Sequence, residues 1–170
     1  MLSFVENHIK SKKPGNVFVI LDGAAINGLL EKLYQWRPRH VCLFRGKLTP
    51  DMAEVAPYLV RLEENHPFSE WVIKNASGKH WGVFFSSMFD ERKLRRKFRN
   101  MLDASLPDGR TVLFRYYDPR ILNAYLPGCE ESELALMFDR VESYFVEDDE
   151  QGTLRRHQLL NGVLICQECG

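Results

Sequence analysis

No apolar run in this chain approaches the roughly 18 residues needed to span a bilayer, and the N-terminus lacks the basic, apolar, small-residue order of a secretory signal. A cytoplasmic location with no membrane partner is the expectation. Cysteine is scarce: four in 170 residues are too few for a disulfide scaffold, and Cys42, inside the apolar run Val41 to Phe44, reads as a small buried hydrophobe. The formal net charge is zero, so the chain is not polyanion-seeking as a whole.

Several chemical signatures are missing as well. Gly23 and Gly28 do not build GxGxxG, Gly78-Lys79-His80 lacks the preceding glycine of a phosphate loop, and no GxSxG elbow occurs. The five histidines, His8, His40, His66, His80 and His157, are scattered without HxxxH or HxxEH spacing. What remains is an ordinary globular composition, 45% hydrophobic and 27% charged, long enough for one domain to bury its core without a staple.

Periodicity orders the chain. Residues 1–16 read as a polar N-terminal arm or short helix closed by Pro14-Gly15, and Val17 to Leu21 as the first core strand. Asp22 is a good N-cap for the helical pattern Ile26, Leu29, Leu30 and Leu33, which stops near Trp36. A second strand at His40 to Phe44 completes an apparent βαβ unit with a parallel pair. Thr49-Pro50 starts a short helix, Tyr58 to Leu62 is strand-like, Phe68, Trp71 and Val72 share a helical face, and His80 to Ser86 is an aromatic strand.

Asp90 then caps the most regular helix, with Leu94, Phe98, Met101 and Leu102 as its apolar stripe and Arg92, Lys93, Arg95, Arg96, Lys97 and Arg99 on the remaining surface. Pro107-Asp108-Gly109 turns into a strand from Thr111. A helix at Glu131 to Phe138, a strand at Val141 to Val146, an acidic turn at Glu147 to Glu150 and a last strand ending in Ile165 follow. The expected fold is a single α/β domain, 17–147, with a mixed, partly parallel sheet flanked by helices, followed by a C-terminal strand and CxxC tail, 148–170.

Four constellations carry potential chemistry. Asp22 ends an apolar strand, where a phosphoesterase or hydrolase would keep a nucleophile, but LDGAA has no second acid two positions on, and capping accounts for it. The Arg92 to Arg99 helix could bind phosphate backbones; its amphipathic pattern explains it as a solvated face, with the acidic turn as counter-charge or an acidic protein as partner. Cys166 and Cys169 have the spacing of half a zinc knuckle, which Cys129, His157 or another subunit would have to complete. Reduced thiols are the default for that pair, so no metal or cofactor is assigned.

The fourth is the segment Thr111 to Pro127, where an apolar run meets Arg115, Tyr116, Tyr117, Asp118 and Arg120 around an Asp-Pro turn. Arg115 and Arg120 are expected to pair with Asp118 or nearby carboxylates, while the tyrosines pack with their hydroxyls at the core rim. The alternative is a groove for a partner peptide, since Tyr, Trp and Arg make binding hot spots.

Taken in order, Ile20-Leu21-Asp22-Gly23-Ala24, Cys42 to Gly46, Ala56 to Val60, Trp81-Gly82-Val83-Phe84, the Leu94 to Phe98 helix and Phe114 to Leu122 resemble the type VI secretion effector chaperone, or adaptor, family. The resemblance covers roughly residues 15–147 and lies in the ordered series rather than in one motif. It implies a non-enzymatic cytoplasmic protein, without nucleic-acid or membrane partners, that binds a secreted effector by its N-terminal region and helps load it onto the VgrG or PAAR components of the spike. Many relatives carry a further helical C-terminal lobe, so a short single-lobe form is expected here. Asp22, Gly23, Gly82, Asp118 and Pro119 become structural motif positions. The candidate partner contacts are Trp81, Phe84, Arg95, Arg96, Arg99, Arg115, Tyr117 and Arg120, with an apolar groove between the Trp81 strand and the Phe114 to Arg120 segment.

Overall fold

The computed structural model describes residues 3–11, 15–106, 108–148 and 153–169; Pro14, Pro107, the 149–150 part of the acidic turn and Gly170 lie outside them. The first half of the chain alternates β1 (Asn16–Asp22), α2 (Leu29–Trp36), β2 (His40–Cys42), α3 (Pro50–Glu54), β3 (Pro57–Leu62), α4 (Pro67–Asn75) and β4 (Gly82–Ser87). Helix α1 (Ser3–Lys10) precedes them and seats Val5 fully in the core, with Phe4 5.5 Å from Phe145. The second half holds α5 (Glu91–Met101), β5 (Asp103–Ser105), β6 (Thr111–Leu113), α6 (Pro119–Tyr125), α7 (Glu131–Phe138), β7 (Ser143–Asp148), β8 (Thr153–Leu160) and β9 (Val163–Cys169).

Seven strands form one sheet in the order β2-β3-β1-β4-β7-β8-β9, and β5 and β6 make a separate hairpin. Each neighbouring pair in both sheets is antiparallel. The expectation of a partly parallel sheet is therefore overturned. Strands β1 and β2 do run in the same sense across α2, but β3 inserts between them and pairs antiparallel with both. Strands β1, β2 and β3 thus form a split βαβ arrangement, with β4 on the other side of β1.

Why the sequence misled on this point is clear from burial. Val17, Val19 and Leu21 enter a core cluster with Leu29 and Leu33 of α2 and Phe68 and Val72 of α4. Phe18 and Ile20 of the same strand point the other way, into a cluster with Leu94 and Phe98 of α5, Leu122 of α6 and Met137 of α7. Helices cover both faces, so the strands are continuously apolar, the pattern usual for parallel sheets, although here the sheet is antiparallel.

Local signals set the helix ends. Thr49 accepts from Met52 N at 3.4 Å ahead of Pro50, and Asp90 accepts from Lys93 N at 3.0 Å at the start of α5. Helix α7 carries a capping box between Glu130 and Glu133. The strand expected from Thr111 forms as β6 of the hairpin, with Leu113 49% exposed, whereas the C-terminal part contains β8 as well as β9 where a single last strand was expected.

Glycine supplies one close approach that positions the site. Gly82 lies opposite Leu21 in β1, and a Cβ there would overlap the Ile20 carbonyl oxygen. Absence of a side chain lets β4 press against β1 beside Asp22.

Candidate functional site

The 114–120 segment threads beneath α5. Phe98, on the buried stripe of α5, stacks with Tyr116 at 5.7 Å, and the Tyr116 hydroxyl donates to the Phe98 carbonyl at 2.9 Å. Tyr116 and Tyr117 are 1% and 2% exposed, so their rings are core. Burial, and then the negative charge of Asp22, push the Tyr117 phenol up to about 12, leaving it neutral at physiological pH.

Arg115, 6.0 Å over the Tyr117 ring, turns back toward the end of β1. Its Nη2 donates to Asp22 Oδ2 at 2.5 Å and lies 3.7 Å from Asp118 Oδ2. Asp22 is also the N-cap of the single turn Gly23–Ala25, accepting from Ala24 N at 3.0 Å, while its own N–H donates to the Trp81 carbonyl at 2.8 Å. Both carboxylate oxygens are thus taken and the residue is 2% exposed, an arrangement for bracing rather than nucleophilic attack.

Asp118 performs a matching task at α6. It accepts from Arg120 N at 3.0 Å as the cap, with Pro119 next in the helix, and receives Arg120 Nε at 3.0 Å and Nη2 at 2.7 Å as a two-pronged ion pair. Burial works to raise its carboxyl pKa, but the Arg120 hydrogen bonds and the charges of Arg120 and Arg115 outweigh it and hold the group below its ordinary value. Asp-Pro is thus a helix start, where the sequence suggested only a turn. Cap followed by Pro was a legible signal.

The candidate contacts do not form one groove. Phe84 is 1% exposed and sits in the cluster beneath α2 and α4, so it presents nothing to a partner. Trp81 packs on that same side, 4.9 Å from Trp71, which is 5.8 Å from Trp36. Sequence reasoning singled out only Trp81 from this row of three half-buried tryptophans; Lys32 lies 5.2 Å over Trp36 and Lys79 5.0 Å over Trp81. Tyr117 and α5 belong to the opposite face of the sheet.

On α5 the six basic residues separate into different roles. Lys97 is 7% exposed, contrary to its expected place on the solvent face, and its Nζ donates to the carbonyls of Leu136 at 2.6 Å and Met137 at 2.9 Å, the C-terminal turn of α7. Burial pulls its pKa down to about 8. Arg99 donates through Nη2 to the carbonyls of Cys42 at 2.9 Å and Phe44 at 2.7 Å, binding α5 to the end of β2. Arg92, Lys93, Arg95 and Arg96 are exposed.

The two described residues of the acidic stretch, Glu147 and Asp148, are engaged elsewhere. Glu147 is buried on β7 and accepts from Gly78 N at 3.0 Å and His80 N at 3.3 Å, closing the turn before β4. Asp148 pairs with Arg155 at 2.5 Å.

Cys166 and Cys169 lie on the regular strand β9 rather than in a turn. Three residues apart on a strand, their thiols point to opposite faces; Cys166 is exposed and Cys169 buried. Among the described residues no group of three or more His, Cys, Asp or Glu side chains is placed to hold a metal ion, and no helix is long and apolar enough to cross a membrane. His157, another candidate ligand, is 2% exposed and engages Asn123 Oδ1 through Nε2 at 3.1 Å. Burial, then the charge of Arg155, press its pKa down to about 4, so it is neutral at pH 7.

A family model described as Domain of unknown function (DUF4123) matches residues 17–136, which span β1 through most of α7 and contain the whole Asp22, Arg115 and Asp118 knot. The chain belongs to the DUF4123 family. No curated protein and no solved structure matches it. Within this DUF4123 domain the motif residues Asp22, Gly23, Gly82, Asp118 and Pro119 occupy caps and close approaches, whereas the exposed arginines of α5 have no structural partner among the described residues.

Proposed function

We propose that this DUF4123 protein is a non-enzymatic, cytoplasmic type VI secretion adaptor that binds a cognate effector through the effector's N-terminal region and assists its loading onto the VgrG or PAAR spike. The resemblance of the ordered motif series to that chaperone family supports the reading. The observation that carries it is the division of charge: the carboxylate best placed for catalysis, Asp22, is consumed by a cap and by Arg115, while Arg92, Arg95 and Arg96 on α5 stand exposed with no carboxylate paired to them among the described residues. Unspent charge on a rigid helix suits recognition, because it steers encounter and fixes orientation.

The test is purification of the tagged chain from its native host under gentle conditions, followed by mass spectrometry and native mass measurement. The expected result is a stoichiometric complex with an effector protein or a spike component. Repeated recovery of folded protein without either would refute the adaptor. Under the competing phosphoesterase reading, Asp22→Asn would abolish a measurable hydrolysis; the adaptor reading expects no hydrolysis to abolish.

A further inference from the structure

Arg92, Arg95, Arg96 and Arg99 recur at i, i+3, i+4 and i+7, so they line one face of α5 over a rise of about 10 Å. Arg45, from the loop after β2, joins them by donating to Asn100 Oδ1 at 2.6 Å. Together they wall an open depression of about 360 Å³ lined by five arginines and, among the described residues, by no carboxylate. The nearest acids on α5 are committed elsewhere: Asp90 caps its own helix, and Glu91 lies 4.0 Å from Arg61. Crowding is felt at Arg99, where burial and then the like charges of Arg95 and Arg45 depress the guanidinium pKa.

The depression shares Arg45 and Arg99 with a second one, of about 270 Å³, lined by Phe44, Leu48, Met52, Leu102 and Leu113. Met52 is 46% exposed and Leu113 49%. A basic shelf therefore runs directly into an apolar trough across the α5, α3 and β6 surface.

We propose that this two-part surface docks an acidic segment of the partner protein, with carboxylates on the arginine shelf and an aliphatic side chain in the trough. The proposal rests on the adaptor reading for its partner. Charge complementarity selects the occupant, since planar guanidinium groups hold carboxylates bidentately. A nucleic acid would also satisfy the arginines, but the adjoining trough is mainly aliphatic, with Phe44 its one ring, and offers little to a base, whereas it accepts a leucine side chain; Asp103 in the trough repels any anion and so keeps the carboxylates on the arginine shelf.

The experiment is fluorescence anisotropy at physiological salt with three labelled probes: a short peptide of glutamates and leucines, an all-glutamate peptide of equal charge, and an oligodeoxythymidine of equal charge. The glutamate-leucine peptide is expected to bind most tightly. Arg95→Glu with Arg96→Glu should weaken it at least about tenfold, an interface charge reversal at exposed side chains that bear no fold contacts. Leu113→Ser, which removes the apolar contact without adding charge, should weaken it severalfold while leaving the all-glutamate peptide unchanged. Circular dichroism confirms folding of each variant, and Arg95→Gln with Arg96→Gln gives a milder second test, with an intermediate loss.

An unchanged affinity after charge reversal, or an oligonucleotide bound as tightly as the peptide, overturns the proposal. Effector recovered equally on wild type and on the charge-reversed protein overturns the docking surface and leaves the adaptor standing. Peptide binding that is lost on charge reversal, with no effector recovered on the wild type, supports the surface and overturns the adaptor.

Discussion

Replacing Asp118 by alanine separates bracing from recognition in the 114–120 segment. Asp118 is 3% exposed, and truncation removes the cap of α6, the two-pronged partner of Arg120 and a longer, 3.7 Å contact with Arg115, which Asp22 still pairs. Loss of an N-cap costs about 1 kcal/mol. The Arg120 pair adds less than its geometry suggests, because the arginine side chain is 58% exposed and screened by water, so about 0.5 to 1 kcal/mol is appropriate. A total near 2 kcal/mol lowers the melting temperature of a domain this size by about 4 to 8 °C. Urea unfolding followed by circular dichroism measures it, with Asp118→Asn, which keeps the capping oxygen, costing about half as much.

The pH dependence has a definite sign. A carboxyl held below its ordinary value in the folded state contributes stability above the unfolded value of about 4 and loses it as pH falls further, so wild type and Asp118→Ala should converge in acid. Should Asp118→Ala cost under about 0.5 kcal/mol yet abolish partner capture, the segment is itself the contact surface and the bracing argument fails.

Three further outcomes are expected. His157, neutral with a folded pKa of about 4 against an ordinary 6.5, leaves the unfolded chain binding the extra proton between those values; stability should fall by about 3 kcal/mol as pH drops through that window, and His157→Gln should flatten the fall in urea titrations. Lys97→Met leaves the Leu136 and Met137 carbonyls without their donor and should cost about 1 to 3 kcal/mol at pH 7. The wild type should gain stability from about pH 8 toward the ordinary 10.5, because the unfolded lysine then binds the extra proton, and the variant should show no such gain. Gly82→Ala forces a methyl into the Ile20 carbonyl and should cost about 3 kcal/mol or more in thermal melts, whereas Gly128→Ala, whose methyl meets nothing within 4 Å, should stay within about 0.5 kcal/mol.

Legibility in the sequence followed the range of the interaction. Caps at Thr49 and Asp90 and the 131–138 helix are local, and their residues announce them. Strand direction is not local: an apolar run such as Val17 to Leu21 reports burial on both faces and says nothing about whether β3 will slip between β1 and β2. Lys97 looked solvated because the helical pattern of α5 cannot reveal that α7 ends against it. Arg115 was seen to need a carboxylate, and nothing in the spacing named Asp22.

The same Asp22 to Arg115 tie has a kinetic consequence. Its partners are 93 residues apart in the chain, whereas β7, β8 and β9 are joined by successive neighbouring pairings. Loop closure over such a distance is entropically late, so the C-terminal meander can zip locally while the β1 end waits for residue 115 to arrive. Weakening the tie with Arg115→Met should then steepen the escape from the native state and leave the rate of reaching it nearly unchanged. A stopped-flow chevron in which the folding limb slows instead would place the tie in the nucleus. On this view the Asp22, Arg115 and Asp118 knot acts as a latch, setting how long the assembled arginine surface persists rather than how quickly it forms.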